Sequence, residues 1–365
     1  MKSEWTYRPL GELVSFASGG TPSKKRDDYW GGTIPWISAK TLKTENIDTS
    51  DLFITEEGLK AGSKIAPKGS ILLLTRGSGL FNGIPIARVE KDVAFNQDIK
   101  CLDSYGEVEN EFIFYWLLSQ KDYLMAKVGV TGIGAGKFDL DFLQKLMIPI
   151  PSERERKSIV GFASSISEKI RCNAKVNDNL QQQAMALYAE MFLNSSNNDV
   201  TSGTLSDIAV ITMGQSPSGS SYNEDGVGEV FYQGRAEFGF RFPKRRLFTT
   251  EPKRMAVAGD VLLSVRAPVG DLNMAYERCC IGRGLGAIHS KTGHSSFVLY
   301  TMFALRSQLN VFNGEGTVFG SINRDALNAI PIDVPLVTKI DQFEAVAHPI
   351  DKLIRTKIGR ASCRE

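Results

Sequence analysis

The stretch that decides the fold is Pro149-Ile150-Pro151-Ser152, with the run that follows it to about Phe192. The prolines end a short apolar strand, and Ser152 with Glu155 three residues later forms the pattern of a helix-capping box. Apolar side chains then recur, mostly at steps of three and four, at Ile159, Phe162, Ile166, Ile170, Val176, Leu180, Ala184, Leu187 and Met191. This spacing predicts one helix of about 60 Å with a narrow apolar stripe, which is typical of a coiled coil.

The second half of the chain repeats this junction. Leu327-Asn328-Ala329-Ile330-Pro331-Ile332-Asp333-Val334-Pro335 ends a second strand, and a second helix is predicted to begin near Leu336. Its apolar positions include Phe343, Ile350 and Ile354. A helix with one narrow apolar stripe needs a partner, so the two helices are predicted to pair. The alternative is that each helix packs only on its own domain.

Further matches follow in the same order along both halves. Leu10-Gly11-Glu12-Leu13 matches Leu205-Ser206-Asp207-Ile208, and Gly19-Gly20-Thr21-Pro22-Ser23 matches Gly214-Gln215-Ser216-Pro217-Ser218. The apolar strand that ends at Arg76 matches the one that ends at Arg266. Such a collinear series predicts a duplicated unit. The loops between the matches differ, so the copies are expected to share a scaffold and to differ on their surfaces.

The predicted fold is α+β, with two pseudo-repeated mixed β/α domains joined by long helices. The boundaries follow from the matches: a first domain at 1–151, a central long helix at 152–193, a polar linker at 194–199, a second domain at 200–335 and a second helix at 336–357. The second helix is shorter than the first, and the last eight residues, 358–365, have no apolar periodicity. They look like a translated sequencing adapter, so an artefactual tail on a truncated gene is expected.

Composition and charge exclude several classes of protein. The chain has 365 residues, 42% hydrophobic and 23% charged, and a net charge of +2. No apolar run is long enough for a membrane helix, and the N terminus has no secretory pattern, which predicts a cytoplasmic protein without a membrane partner. The five cysteines show no C-x-x-C spacing and are expected to be reduced thiols.

No motif for catalysis or for a cofactor is complete. Residues 132–138 suggest a phosphate loop, but Thr131 and Phe138 stand where that motif needs Gly and Ser or Thr. No dinucleotide motif and no Asn/Asp-Pro-Pro-aromatic motif for base methylation occurs. His289 and His294 lack a third ligand at useful spacing, so satisfied histidines are expected instead of a metal site. The chain is therefore predicted to hold no catalytic residue, no metal and no cofactor.

The combined pattern resembles the DNA specificity subunits of type I restriction–modification systems. The resemblance runs from Trp5 to about Lys357. It is carried by the two-copy order, by residues 69–78 with their echo at 259–266, by Asn96-Gln97-Asp98, and by the two strand-to-helix junctions at 143–151 and 320–335.

The resemblance implies two target-recognition domains that each read one half of a split, asymmetric DNA sequence. It also implies an antiparallel coiled coil, helix length that measures the unread spacer, and partners. These partners are double-stranded DNA, two modification (methyltransferase) subunits and restriction (ATP-dependent motor/nuclease) subunits. The chain itself would be non-catalytic, whereas the complex would be a DNA adenine methyltransferase and an ATP-dependent endonuclease.

DNA contacts are expected from basic and amide side chains on the loops of each domain, since these side chains bind bases and phosphates. In the first domain they are Lys24, Lys25, Arg26, Lys40, Arg76, Asn96, Gln97 and Lys137; in the second they are Tyr232, Gln233, Arg235, Lys244, Arg245, Arg246, Arg266, Arg283 and Arg324. Arg76 and Arg266 are the preferred candidates because they occupy equivalent strand ends. The alternative for each residue is a solvated surface charge.

Three other functions remain open on the sequence. A fused methyltransferase or nuclease is opposed by the missing motifs. A non-enzymatic protein-interaction scaffold would use the coiled coil without DNA. A truncated, inactive specificity subunit is the third.

Overall fold

The computed structural model describes residues 5–132, 134–194, 200–266, 268–313 and 320–362, with side chains as far as 358. The chain divides into two compact units, Met1–Lys169 and Ile170–Glu365, so the division falls inside the long helix. The predicted linker at 194–199 lies outside the described residues except for its first residue, whereas the predicted tail at 358–365 is described as far as 362. The boundaries predicted from the sequence stay predictions.

The first unit is a set of small sheets with short helices. Its strands are β1 Thr6–Pro9, β2 Val14–Ser18, β3 Trp30–Ile37, β4 Asn46–Ile47, β5 Phe53–Ile54, β6 Lys64–Ala66, β7 Ile71–Leu74, β8 Arg76–Gly77, β9 Ile86–Val89, β10 Val93–Phe95, β11 Ile99–Ser104, β12 Gly129–Val130, β13 Gly136–Lys137 and β14 Met147–Ile150. Its helices are α1 Leu10–Leu13, α2 Glu56–Gly62, α3 Asn110–Ser119, α4 Lys121–Met125 and α5 Leu140–Gln144, followed by the long α6 Glu153–Tyr188.

The core of the first unit is built on β7, whose four residues are all buried. A continuous apolar run of this length is typical of a central strand, and β7 lies in the middle of a sheet with the order β2-β11-β7-β9-β4. A second sheet places β10 parallel to β3 and antiparallel to β6. The first strand, β1, pairs antiparallel with β14, the last strand before α6.

The second unit carries the corresponding elements. Its strands are β15 Val200–Thr204, β16 Ala209–Met213, β17 Tyr222–Asn223, β18 Glu229–Tyr232, β19 Phe248–Thr249, β20 Met255–Ala256, β21 Val261–Ser264, β22 Leu272–Met274, β23 Cys279–Ile281, β24 Leu285–Ser290 and β25 Pro331–Pro335. Its helices are α7 Leu205–Ile208, α8 Ser295–Ala304, α9 Arg306–Asn310, α10 Arg324–Asn328 and α11 Val337–Ser362.

The strand pairings of the two units agree element by element. The sheet β16-β24-β21-β22 corresponds to β2-β11-β7-β9 of the first unit. The parallel pair β18 and β23, with β20 antiparallel to β23, corresponds to β3, β10 and β6. The pairing of β15 with β25 repeats that of β1 with β14. The duplication predicted from the sequence is therefore present in the sheet topology.

The capping box predicted at the start of α6 is present. The Ser152 backbone N–H donates to Glu155 Oε2 at 3.0 Å, and the Glu155 N–H donates to Ser152 Oγ at 3.4 Å. These bonds satisfy donors that the first turn of a helix leaves free. The helix then runs without a break to Tyr188 and ends in a π-helical turn, Ala189–Leu193. The second long helix, α11, continues through Pro349.

Within the second unit, the C-terminal part of α6 packs on α11. The rings of Tyr188 and Phe192 lie 5.6 Å from the ring of Phe343 near the start of α11. Gln181, two turns earlier on α6, and Asp351, two turns later on α11, both bind the side chain of Arg241. These contacts run in opposite directions along the two helices, so the pair is antiparallel. The α+β class and the coiled coil are thus both present.

The predicted coiled-coil residues divide into two groups. Phe343 and Ile354 are fully buried, while Leu180, Leu187 and Ile350 are partly buried. Towards the start of α6, by contrast, Ile166 is half-buried, and Ile159, Phe162 and Ile170 are 36%, 72% and 49% exposed. These last three are not buried against a helix among the described residues, and their assignment to a coiled-coil or partner contact stays a prediction.

Candidate nucleic-acid interface

Both units bring a strand-end arginine against the glycine-containing segment that precedes the last strand. In the first unit β13 pairs antiparallel with β8, and Lys137 lies directly opposite Arg76. In the second unit Arg266 and Ser321 form an isolated bridge at the matching place. Since Arg76 follows β7 and Arg266 follows the equivalent strand β21, the duplicated scaffold places an arginine at the equivalent position in each unit.

A glycine loop lies beside each of these arginine sites. It follows β2 in the first unit and β16 in the second. The Gly20 N–H donates to the Phe95 carbonyl at 2.9 Å, and the Gln215 N–H donates to the Ile281 carbonyl at 2.9 Å. The preceding glycine must be a glycine in both copies. A Cβ on Gly19 would lie 2.0 Å from the Phe95 oxygen, and one on Gly214 would lie 2.1 Å from the Gly282 oxygen.

Two residues after the carbonyl that accepts this hydrogen bond, each copy has an exposed polar side chain, Gln97 in the first unit and Arg283 in the second. Gln97 Oε1 accepts from Thr21 Oγ1 at 2.7 Å in the first unit. In the second unit the Arg283 backbone N–H donates to Ser216 Oγ at 3.2 Å, and the Arg283 side chain is exposed. The equivalent of an amide in one copy is thus a guanidinium in the other.

These parts form an open cleft of about 630 Å³ in the second unit. It is lined by Met213, Gly214, Val265, Arg266, Arg283, Gly320, Ser321, Ile322 and Asn323. Asn323 caps α10 through a 2.8 Å bond from the Ala326 N–H, so this side chain has a structural role. The cleft brings together two predicted DNA-binding residues, Arg266 and Arg283, that lie far apart in the sequence.

The cations at these two equivalent places have no acidic partner among the described residues. Within the ranges that the structure describes, no carboxylate lies at ion-pair distance from Arg76, Lys137, Arg266 or Arg283, and all four side chains are exposed. Arg76 and Lys137 also face each other across two strands, which is an unfavourable arrangement for like charges. Unpaired cations in a concave surface attract phosphate, and an arginine can bind phosphate or guanine with two hydrogen bonds.

The densest basic run of the sequence, 244–246, behaves differently. Arg245 pairs with Glu277 at 2.5 Å, and Arg246 pairs with Glu237 at 2.6 Å and Glu224 at 3.3 Å. The hydrogen bond that Arg246 donates to Glu237 raises the pKa of the Arg246 guanidinium, which is 58% exposed. These carboxylates offset the positive charge of the run, so its density in the sequence overstates its attraction for DNA.

Two other predicted cations are also paired with carboxylates. Arg26 pairs with Asp28 at 2.6 Å, and this hydrogen bond lowers the pKa of the Asp28 carboxyl. Arg235 pairs with Asp271. A DNA phosphate would have to compete with these partners.

Asn96 and Tyr232 lie inside their domains. Asn96 is 5% exposed, and its Nδ2 donates to Asp98 Oδ2 at 3.1 Å. Tyr232 is 1% exposed, and burial raises the pKa of its hydroxyl. The prediction of DNA contact is corrected for these two residues, because neither side chain reaches the surface.

The remaining predicted DNA-binding residues are on the surface but outside a common site. They are Lys24, Lys25, Lys40, Gln233 and Arg324, all exposed. Their assignment stays a prediction.

The comparisons with known proteins agree on one family. Residues 2–182 match the family model described as the type I restriction modification DNA specificity domain. A putative type I restriction enzyme MjaX specificity subunit from Methanocaldococcus jannaschii is 27% identical over 384 residues, which cover 97% of this chain and 88% of that protein. The chain belongs to the type I specificity subunits. The specificity subunit of EcoR124I/EcoR124II from Escherichia coli is 31% identical over 161 residues, which are 44% of this chain and 40% of that relative.

A solved structure shares the fold of this specificity subunit. The crystal structure of the type I restriction–modification S subunit from M. genitalium is similar with a TM-score of 0.59 at 16% identity, over 99% of this chain and 93% of that one. At this identity the likeness concerns the fold alone.

The histidines of the specificity subunit bind carboxylates. His289 Nδ1 lies 2.6 Å from Asp260 Oδ1, and His294 Nε2 lies 2.8 Å from Asp341 Oδ1. Among the described residues no group of three or more potential metal ligands occurs. No helix in the described ranges is both long and apolar enough to cross a membrane.

One central residue of this specificity subunit was not singled out from the sequence. Arg241 is only 2% exposed and binds groups on two long helices. The sequence carries no local signal for it, because its partners Gln181 and Asp351 lie 60 and 110 residues away in the chain.

Proposed function

We propose that this specificity subunit reads a bipartite, asymmetric DNA target, one half through each unit. The observation that carries the proposal is a duplicated cation with no carboxylate at ion-pair distance among the described residues: Arg76 with Lys137 in one unit, and Arg266 with Arg283 in the other. A shared scaffold accounts for the equivalent positions. The different side chains around them, such as Gln97 against Arg283, would account for two different half-sites.

The proposal assigns the chemistry of the complex to other chains. The methyl transfer, the ATP-driven motor and the DNA cleavage would belong to modification and restriction subunits that dock on this chain. Exposed apolar side chains on α6, Phe162 and Ile170 among them, support a docking role for that helix, since large apolar groups on a surface often mark protein contacts. The chain itself would be non-catalytic and hold no cofactor.

The cleft is tested by DNA binding of the specificity subunit assembled with its modification subunits. In a fluorescence-anisotropy titration over a salt series, Arg266→Ala is expected to weaken binding by about 1–3 kcal/mol. If the guanidinium holds a phosphate, the slope of log K against log salt falls by about one; if it reads guanine, specificity at one base pair relaxes instead.

Arg278→Ala is the matched control, because it removes the same charge from the same unit. Arg278 is 64% exposed and lies 3.7 Å from Glu229. Equal losses in the two variants would mean a general charge effect and would contradict the cleft. If the assembled complex shows no DNA shift at low salt, the protein-scaffold alternative is favoured.

A further inference from the structure

Arg241 is fixed by its backbone to the sheet of the second unit and directs its side chain between helices. Its carbonyl accepts from the Met274 N–H at 2.8 Å, which holds the segment 238–243 against β22. The side chain is 2% exposed, although an arginine is rarely buried without a partner. Its position therefore requires specific binding groups in the interior.

The two ends of the guanidinium bind two different long helices. Nη1 donates to Asp351 Oδ1 on α11 at 2.9 Å, and Nη2 donates to Gln181 Oε1 on α6 at 3.0 Å. The Tyr300 hydroxyl on α8 donates to the same Asp351 oxygen at 3.0 Å. The guanidinium carbon also lies 5.7 Å from the ring centres of Tyr300 and Phe303. A planar fork of fixed geometry thus holds α6 and α11 at one relative position.

Some buried polar atoms of this cluster lack a hydrogen-bond partner, which is unlike a network that mainly stabilises the fold. Arg241 Nε, Asp351 Oδ2 and Asn177 Oδ1 are buried and have no hydrogen-bond partner among the described residues. Asn177 lies one turn before Gln181 on the same helix. A buried ion pair with unpaired polar atoms is often no more stable than an apolar replacement. A polar residue in a helix pair can instead select one register over its neighbours.

We propose that Arg241 is a positioning residue that fixes the register of α6 against α11 and joins that register to the sheet of the second recognition unit. A shift of one helix by a turn would displace Gln181 relative to Asp351 by about 5.4 Å along the helix axis, so that one guanidinium could no longer bind both in the present geometry. The basic segment 244–246 follows three residues later, and the Lys244 N–H donates to the Glu237 carbonyl at 2.8 Å. The orientation of that surface therefore depends on the same anchor.

The test compares the native cluster with an apolar one in the full chain. Arg241→Met, Gln181→Leu and Asp351→Leu are combined, and spin labels are placed at Gln183→Cys on α6 and Lys352→Cys on α11, with Cys172→Ser and Cys363→Ser. Positions 183 and 352 are exposed. The native cluster is expected to give one narrow distance. The apolar variant is expected to keep or raise its Tm and to give a broad or second distance, because one helix can then shift along its axis by about one turn, 5.4 Å.

A second variant covers the case in which the apolar one does not fold. Arg241→Lys keeps the charge, but one ammonium group cannot bind both helices in the same way. It is expected to broaden the distance distribution without a change in helix content. A distribution as narrow as the native one, in either folded variant, would overturn the proposal. The readout uses no DNA, so it is independent of the cleft proposed above.

Discussion

At Gly214 the chain passes so close to the backbone of Gly282, directly after β23, that only a hydrogen fits as the side chain. A Cβ there would lie 2.1 Å from the Gly282 carbonyl oxygen, which belongs to the backbone and cannot rotate away. Gly214→Ala is expected to lower the free energy of unfolding by about 1–3 kcal/mol, measured by denaturant titration, and to disturb the cleft.

Gly234→Ala is the control for that substitution. A Cβ at Gly234 would meet nothing within 4 Å, and its φ of −163° is open to any residue. A loss as large as that of Gly214→Ala would show that the effect is general to glycine loops and not the result of the close approach.

Two buried acids make the second unit sensitive to alkali. Burial raises the pKa of Cys279 to about 12 and that of Tyr188 to about 12. In the unfolded chain these groups release their protons near pH 8.5 and 10. Because the folded state keeps the protons longer, the free energy of unfolding is expected to fall as the pH rises from about 9 towards 12. Thermal unfolding across that range measures the slope.

Cys279→Ala is expected to make that slope shallower, since one of the buried acids is then absent. An unchanged slope would contradict the contribution of this thiol.

The same burial predicts that a thiol reagent at pH 8 labels exposed Cys172 and leaves Cys101, Cys279 and Cys280 unreacted in the native chain.

Which side chain of a polar pair faces outwards was not predictable from the sequence. Asn96 and Tyr232 are buried, whereas the next residues, Gln97 and Gln233, are exposed. Both pairs lie at a strand end, since Asn96 follows β10 and Tyr232 is the last residue of β18, and alternation between the two faces there decides exposure. The sequence identifies the residue types, but the strand register that selects between neighbours depends on distant pairing.

The helix pair of the second unit rests on a cluster of rings around Phe343. The ring of Phe343 lies 5.6–5.7 Å from those of Tyr188, Phe192 and Tyr300, and the residue is fully buried. Phe343→Ala is expected to lower the free energy of unfolding by about 3–5 kcal/mol. Chemical denaturation followed by circular dichroism measures the loss.

Leu353→Ala on the same helix is the matched control. Leu353 is 44% exposed, so its truncation is expected to change the free energy of unfolding by less than about 1 kcal/mol. Similar losses in the two variants would mean that α11 is held by its whole length and not by the aromatic cluster.

Local sequence signals predicted the elements where the cause is itself local. The capping box at Ser152, the buried strand at 71–74 and the second helix starting near Leu336 depend on neighbouring residues, and the structure contains all three. The pairing of Arg76 with Lys137 depends on two strands far apart in the chain. Periodicity carries no information on such pairing, so the cleft itself was not predicted.

The duplication extends to function if each unit reads its own half-site. Arg76→Ala is then expected to relax one half of the methylated motif and Arg266→Ala the other half, as seen in methylome sequencing of the host. Deleting the gene is expected to remove one bipartite motif. Unchanged motifs after deletion would contradict the DNA-reading role.

The first and last strands of each unit lie side by side, β1 with β14 and β15 with β25. The chain therefore enters and leaves each domain at one place. A segment whose two ends adjoin can be replaced by another of its kind without altering the path of the flanking chain. If each unit reads a half-site as proposed, gene exchange between strains that replaces one such segment would supply a new half-site and leave the long helices intact.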